Sequence, residues 1–187
     1  MQASIASLGA SALDELHQVF RAIPDEAADN LINAILEANK IAVYGCGREG
    51  LAIKGFAMRL FHLGLHVSVL GDMTTPHLGN GDLLIVTAGT GHLNSGEAFM
   101  RVAKEDGAKT AVITSQPNGT TPMQADCVTV IPAQTMANDQ SVSVSVLPMG
   151  SLFEIAQTIF FEFVILKLRD RLSETAETMR GRHTNLE

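Results

Sequence analysis

Glu154 enters a long apolar run three residues after Ser151, and two glycine-rich turns, GCGREG at residues 45–50 and TAGTG at residues 87–91, each follow a short apolar stretch. Glycines at such turns let backbone N–H groups and a helix N-terminus come close to an anionic ligand. In the second turn the Thr87 and Thr90 hydroxyls can donate, and the amides of Gly89, Thr90 and Gly91 can form an anion-binding nest. A carboxylate at the head of an apolar helix suits proton transfer once burial raises its pKa. The same S-x-x-E spacing is also a capping box, in which the Ser151 hydroxyl takes the Glu154 amide and the carboxylate reaches back. Together the two turns mark a ligand pocket without naming its ligand.

Read alone, the first turn fits G-x-G-x-x-G, and Asp72 follows at about the distance where a dinucleotide-binding domain keeps its ribose acid. Such a chain of two mononucleotide halves plus a substrate domain is ordinarily longer, which weighs against a dehydrogenase. Arg48 lies within the turn and is the best placed cation for a ligand. Of the six histidines, His92 at the second turn and His77 in the loop after the second strand stand where loops at strand ends carry function. His17, His62 and His66 read as surface or packing residues, and His183 by itself reads as part of a solvated terminus. The histidines form no metal cluster, and Cys46 and Cys127 have neither the number nor the spacing of a disulfide framework or zinc site.

The elements that must position these residues alternate in a βα rhythm. Apolar runs at 40–44, 66–70, 82–87, 109–114 and 127–131 read as strands, and residues 49–63 and 94–106 as helices between them. Two helices, 4–21 and 25–39, precede the sheet, with Pro24 placed to start the second. A polar connection over 132–145 is expected to order over a ligand, and a long helix follows over 151–172. Near-continuous apolar strands between helices predict a doubly wound, five-stranded parallel sheet flanked by helices, with ligands at the carboxyl ends of the strands. The long C-terminal helix is apolar on most of its circumference, so part of it is expected to pack against another subunit.

The 187 residues fit one α/β domain spanning 1–187. Aromatic residues make up only 5% and Trp is absent, so Ala, Val, Ile, Leu and Met must build the interior. A net charge of −7 with no basic stripe argues against a nucleic-acid partner. Residues 152–168 carry Glu154, Glu162 and Lys167 and fall short of the ~20 apolar residues of a bilayer span. With no signal-peptide pattern at the start, a cytoplasmic protein with no membrane partner is expected.

Taken together, GCGREG, KGFAMRLFHLGLHV, GDLLIVTAGTG, LPMGSLFEIAQ and MRGRHTNLE resemble the sugar isomerase (SIS) domain family over nearly the whole chain, and within it the 6-phospho-3-hexuloisomerases. The resemblance implies a five-stranded parallel sheet, a homodimer or homotetramer, and a sugar or sugar phosphate as the small-molecule partner. It also implies the interconversion of 3-hexulose 6-phosphate and fructose 6-phosphate through an enediol, without metal or nucleotide cofactor. Glu154 would be the base, and His183 from a neighbouring subunit would assist proton movement at the sugar oxygens or ring opening. Gly45, Gly47 and Arg48 would line the site with Thr87, Gly89, Thr90 and Gly91. The chain departs from the family pattern where phosphate should be held. Glu49 stands in place of serine, and Ala88, His92 and Leu93 interrupt an S-G-S-G-E-T type loop. A carboxylate 4 Å from a phosphate costs about 4 kcal/mol per charge pair at an effective dielectric of ~20. Glu49 must therefore turn away, or the ligand is a sugar without that phosphate, with His92 and Arg48 as compensating cations. Loss of those hydroxyls also leaves room for a second function, a non-catalytic sugar-binding SIS module.

Overall fold

In this computed structural model residues 3–140 and 145–186 are described. The strands are β1 (Ile41–Tyr44), β2 (Val67–Val69), β3 (Leu83–Thr87), β4 (Lys109–Thr114) and β5 (Cys127–Val130). They form one parallel sheet in the order β2-β1-β3-β4-β5, so the α/β fold with a five-stranded parallel sheet is the one expected. The chain reverses its direction of travel across the sheet between β1 and β3, and a crevice opens beyond the carboxyl ends of those two strands.

Strand side chains alternate between the two faces of the sheet, and the two faces are covered unequally. Ile41, Val43, Leu83, Ile85, Ala111 and Ile113 share one buried cluster with residues of α1 (Ile5–Ala22), α2 (Asp29–Glu37), α3 (Gly47–His62) and α5 (Ser151–Arg171). On the other face Ala42, Leu84, Val86 and Val112 meet Met100 and Ala103 of α4 (Asn94–Glu105). Having one helix against four suits small side chains such as Ala42 there and larger ones opposite.

Four sequence expectations shift. The second N-terminal helix begins as a 3-10 turn, Asp25–Ala28, and becomes α-helical only from Asp29. In the long helix, Gly150 with φ +77 is the N-cap and Ser151 the first helical residue, so no side-chain cap forms. Glu154 is thereby displaced one place from where a capping box needs its acid, and its carboxylate is turned elsewhere. A reciprocal cap does occur downstream, where Thr175 and Thr178 close the start of α6 (Ala176–Gly181). The C-terminal segment is tied down although it stays largely exposed: Arg182 donates to both carboxylate oxygens of Glu174 at 2.8 Å and to the His62 carbonyl at 2.9 Å, linking α6 to the far end of α3. Hydrogen bonds from Arg182 and Thr178 hold the Glu174 carboxyl at about 2. Finally, the chain covers most of α5 itself, with Phe161 stacked on Phe56 at 4.3 Å, while Phe163 and Leu166 stay about half exposed.

Residues 141–144 of the connection expected to order over a ligand lie outside the described residues, as does Glu187. Among the described residues no helix is long and apolar enough to cross a membrane.

Candidate active site

β1 and β3 are paired with Tyr44 opposite Val86, which sets Gly45 beside Thr87 as both strands end. Packing there leaves no room for side chains: a Cβ on Gly45 would fall on Thr87 Oγ1, and one on Gly50 would stand 2.5 Å from the Gly45 carbonyl oxygen. The first and third glycines of the first turn thus bring strand and helix together. Gly47, at φ +56, opens α3 in a conformation that disfavours side chains. Cys46 is the N-cap of α3 and supplies no side-chain hydrogen bond, so the first amides of the helix face the cleft.

That cleft has a volume of about 410 Å³ and is lined by both turns together with Met136, Met149 and Glu154. A larger, open depression of about 600 Å³ lies along edge strand β2, lined by Lys40, Lys54, Ser68 and Asp72 among others. Only the smaller one combines strand ends, a helix N-terminus and two carboxyl groups, and we take it as the site. Asp72, the acid that a dinucleotide reading required, lines the other depression.

Glu154 reaches the cleft from the first turn of α5, its side chain 18% exposed. Arg48 Nε stands 2.9 Å from Glu154 Oε2, and Arg48 Nη1 donates to Ser151 Oγ at 2.9 Å. The contact to Oε2, a buried oxygen, is an ion pair without an aligned hydrogen bond. Arg48 therefore compensates the Glu154 charge and fixes the entry of α5, using the serine that spacing alone assigns to a cap. Ser151 in this role was not foreseen, and neither was Gln157, buried behind the site with Nε2 on the Glu49 carbonyl at 3.4 Å. A polar residue at that place in an apolar helix is the signal that could have found it.

Glu49 is half-buried in the inner wall of the cleft. Its Oε2 accepts from the Gly89 amide at 2.9 Å, and a Cβ on Gly89 would meet both Glu49 Oε1 and the Phe153 ring. Burial raises the Glu49 carboxyl above the usual range; the Gly89 amide opposes this and the nearby Glu154 charge adds to it. Thr87 Oγ1 lies close enough to favour the charged form, yet has no aligned partner. This arrangement corrects the expected nest. The Gly89 amide is taken by Glu49, and the Gly91 amide donates to Ala88 O at 2.9 Å. Thr90 lines the cleft, with its hydroxyl 3.4 Å from His92 O.

His92 lines the cleft, but Nδ1 lies 2.7 Å from Thr120 Oγ1 and 3.2 Å from Glu97 Oε1, so its ring is held by the opposite wall. His77 lies outside, 3.8 Å from Asp106. His183 is not brought to Glu154 within one chain. It packs by His62, ring centroids 5.2 Å apart, at the end of α3 opposite Gly47, roughly 22 Å along the helix axis. Sequence reading also missed the Tyr44 hydroxyl, which donates to Ser95 Oγ at 2.9 Å and lies 3.3 Å from Cys46 Sγ at the rim. Among the described residues no group of three or more His, Cys, Asp or Glu is placed to hold a metal ion.

A profile of the SIS domain family matches residues 34–156, from α2 to the first turns of α5. The chain belongs to the SIS domain family. This SIS region contains both glycine turns, Arg48, Glu49 and Glu154, and leaves α1 and His183 outside. Similarity to whole proteins runs further. A Bacillus subtilis 3-hexulose-6-phosphate isomerase is 37% identical over 95% of this chain and 96% of its own length. A Mycobacterium gastri protein of the same name is 36% identical over 93% of this chain and 87% of its own. A crystal structure from Methanococcus jannaschii, from which a function of 3-hexulose-6-phosphate isomerase was inferred, superposes with a TM-score of 0.79 at 31% identity, covering 96% of this chain and 97% of that one.

Proposed function

We propose that this SIS protein is a sugar-phosphate isomerase that interconverts 3-hexulose 6-phosphate and fructose 6-phosphate. The observation that carries the reading is Glu154, a carboxylate presented by a rigid helix into a cleft that ends two parallel strands, with Arg48 beside it. The names of relatives covering nearly the full length agree with it.

Moving a carbonyl from C3 to C2 requires removing the proton on C2 and returning one to C3. One carboxylate on one side of the sugar serves both steps, because the enediol between them is planar. Glu154 is that base. The phosphate would meet the open amides at the head of α3, the Thr90 hydroxyl and the Arg48 guanidinium, which is 60% exposed and able to swing from Glu154 to the ligand. His183 would enter from a neighbouring subunit, since its own chain holds it at the far end of α3.

In deuterated water, wild-type protein should wash deuterium into fructose 6-phosphate at the exchanged carbon, and Glu154→Gln should abolish this while remaining folded. Exchange at the wild-type rate in the variant removes Glu154 from the chemistry. A second reading, a sugar-binding module without turnover, is favoured by the capture of the Gly89 amide by Glu49. Tight binding of fructose 6-phosphate with no exchange in the wild type would establish it.

A further inference from the structure

The enediol route needs a second proton that Glu154 does not supply. As the base takes a proton from carbon, the neighbouring carbonyl oxygen must gain one, and later the other oxygen must lose one. Within one chain the titratable and charged groups facing the interior of the cleft are Glu154 from α5, Arg48, Cys46 and Glu49 from the head of α3, and His92 from the second turn, with His183 of a neighbouring subunit left to ring opening. Arg48 is engaged by Glu154 and Ser151 and does not exchange protons near neutrality. His92 is held by Thr120 and Glu97. Cys46 sits at the exposed rim beside Tyr44.

Glu49 differs from all of these. Among the described residues it forms no ion pair, whereas Glu154, in the same cleft, has Arg48. Its carboxyl lies against Gly89, beside the ring of Phe153, and the Gly89 amide occupies one oxygen, Oε2. The other oxygen is the one left to carry a proton. Two carboxyls facing one cleft, of which only Glu154 has a cation beside it, favour a state in which the unpaired one is an acid.

We propose that Glu49 is the acid partner of Glu154, a carboxylic acid that gives its proton to the substrate carbonyl oxygen while Glu154 takes one from carbon. The inference rests on the isomerase reading above. The balance closes without an outside donor. Glu154 gains the carbon proton and Glu49 becomes a carboxylate as the enediol forms. Then Glu154 returns its proton to the adjacent carbon, and Glu49 takes back the hydroxyl proton as the new carbonyl appears. A neutral Glu49 also removes the repulsion that a carboxylate would impose on a bound phosphate.

The test uses Glu49→Gln, whose amide oxygen can still accept from Gly89 but which carries no transferable proton. Its kcat for fructose 6-phosphate should fall about 100-fold or more, with KM changed less than about threefold. The alkaline limb of the wild-type kcat–pH profile, where Glu49 ionises, should disappear in Glu49→Gln and persist in Glu49→Asp. Independently of turnover, in protein carrying ¹³C-carboxyl glutamate, the signal lost in Glu49→Gln should titrate above the ordinary glutamate range. A Glu49→Gln enzyme with wild-type kcat, or a Glu49 signal already ionised at neutral pH, overturns the proposal. Failure of the wild type to exchange protons of fructose 6-phosphate would instead sink the choice of substrate, and the carboxyl titration still decides the role of Glu49.

Discussion

Gly50 and Gly55 lie on the same helix, and the same substitution should act on them in opposite directions. A Cβ on Gly50 would stand 2.5 Å from the Gly45 oxygen and 3.0 Å from its carbon, against about 3.4 Å for an ordinary contact, a shortfall of roughly 0.9 Å. Both sides of that contact are backbone, so no rotamer can relieve it. Alanine there should cost about 1–3 kcal/mol from overpacking, reduced by up to ~1 kcal/mol from better helix propensity. At Gly55 a Cβ meets nothing within 4 Å. Alanine there should stabilise by ~0.5–1 kcal/mol. With about 2–4 °C per kcal/mol for a chain of this size, the two variants should melt ~5–10 °C apart, on opposite sides of the wild type. Displacing the head of α3 also moves Arg48 against Glu154, and a ~1 Å misplacement costs on the order of 100-fold in rate. Gly50→Ala should therefore lose isomerase activity that Gly55→Ala keeps. Thermal unfolding and fructose 6-phosphate turnover check both halves. A Gly50→Ala protein as stable and active as wild type would refute the close-packing account of the GCGREG turn.

Other outcomes follow from the same geometry. Asp82, buried at the start of β3, accepts from the Gly79 amide at 2.8 Å and the Lys40 amide at 3.1 Å and pairs with Lys40 Nζ at 3.0 Å. Burial pushes its carboxyl up, but those hydrogen bonds and the Lys40 charge outweigh it and hold the group below the ordinary value. Its contribution is thus present above the unfolded-state value near ~3.9 and is lost as pH falls through the lower folded one. Asp82→Asn should cost about 1–3 kcal/mol near neutrality and flatten the acid limb of stability measured by denaturant unfolding. On the proposed reading a second subunit brings His183 to Glu154 and covers the half-exposed Phe163 and Leu166 of α5. Sedimentation at micromolar concentration should show a homo-oligomer, and mixing inactive Glu154→Gln with inactive His183→Ala should restore part of the activity. A stable monomer refutes that arrangement.

The sheet and its alternating helices were legible because each signal is local. Runs such as residues 83–86 are apolar throughout, and both glycine-rich turns follow such a run. The turns as a ligand site, and Glu154 at the head of α5, could be read the same way. What spacing misassigned was Ser151: S-x-x-E predicts a cap, but the left-handed Gly150 starts the helix one residue early and frees both side chains for Arg48, a residue 103 positions away in the chain. The docked C-terminus was illegible for a related reason. Glu174, Thr175, Thr178 and Arg182 each look like solvated surface, and only their bonds to one another and that of Arg182 to the His62 carbonyl make them a structural unit.

Sequence alone determined the fold, since strand and helix formation depend on apolar periodicity and turn residues within a few positions of one another. It also determined that an acid and two anion-friendly turns belong to one pocket, since strand ends in a parallel sheet share one edge. Only the tertiary structure decided what those groups do to one another. The β1–β3 register places Gly89 against Glu49, so a carboxylate, not a phosphate, takes the amide of the second turn. The packing of α5 on α3 gives Glu154 the arginine and leaves Glu49 half-buried with no cation partner among the described residues. Charge and hydrogen bonding act through space over a few ångströms, and which residues come within that range is set by the packing of whole elements.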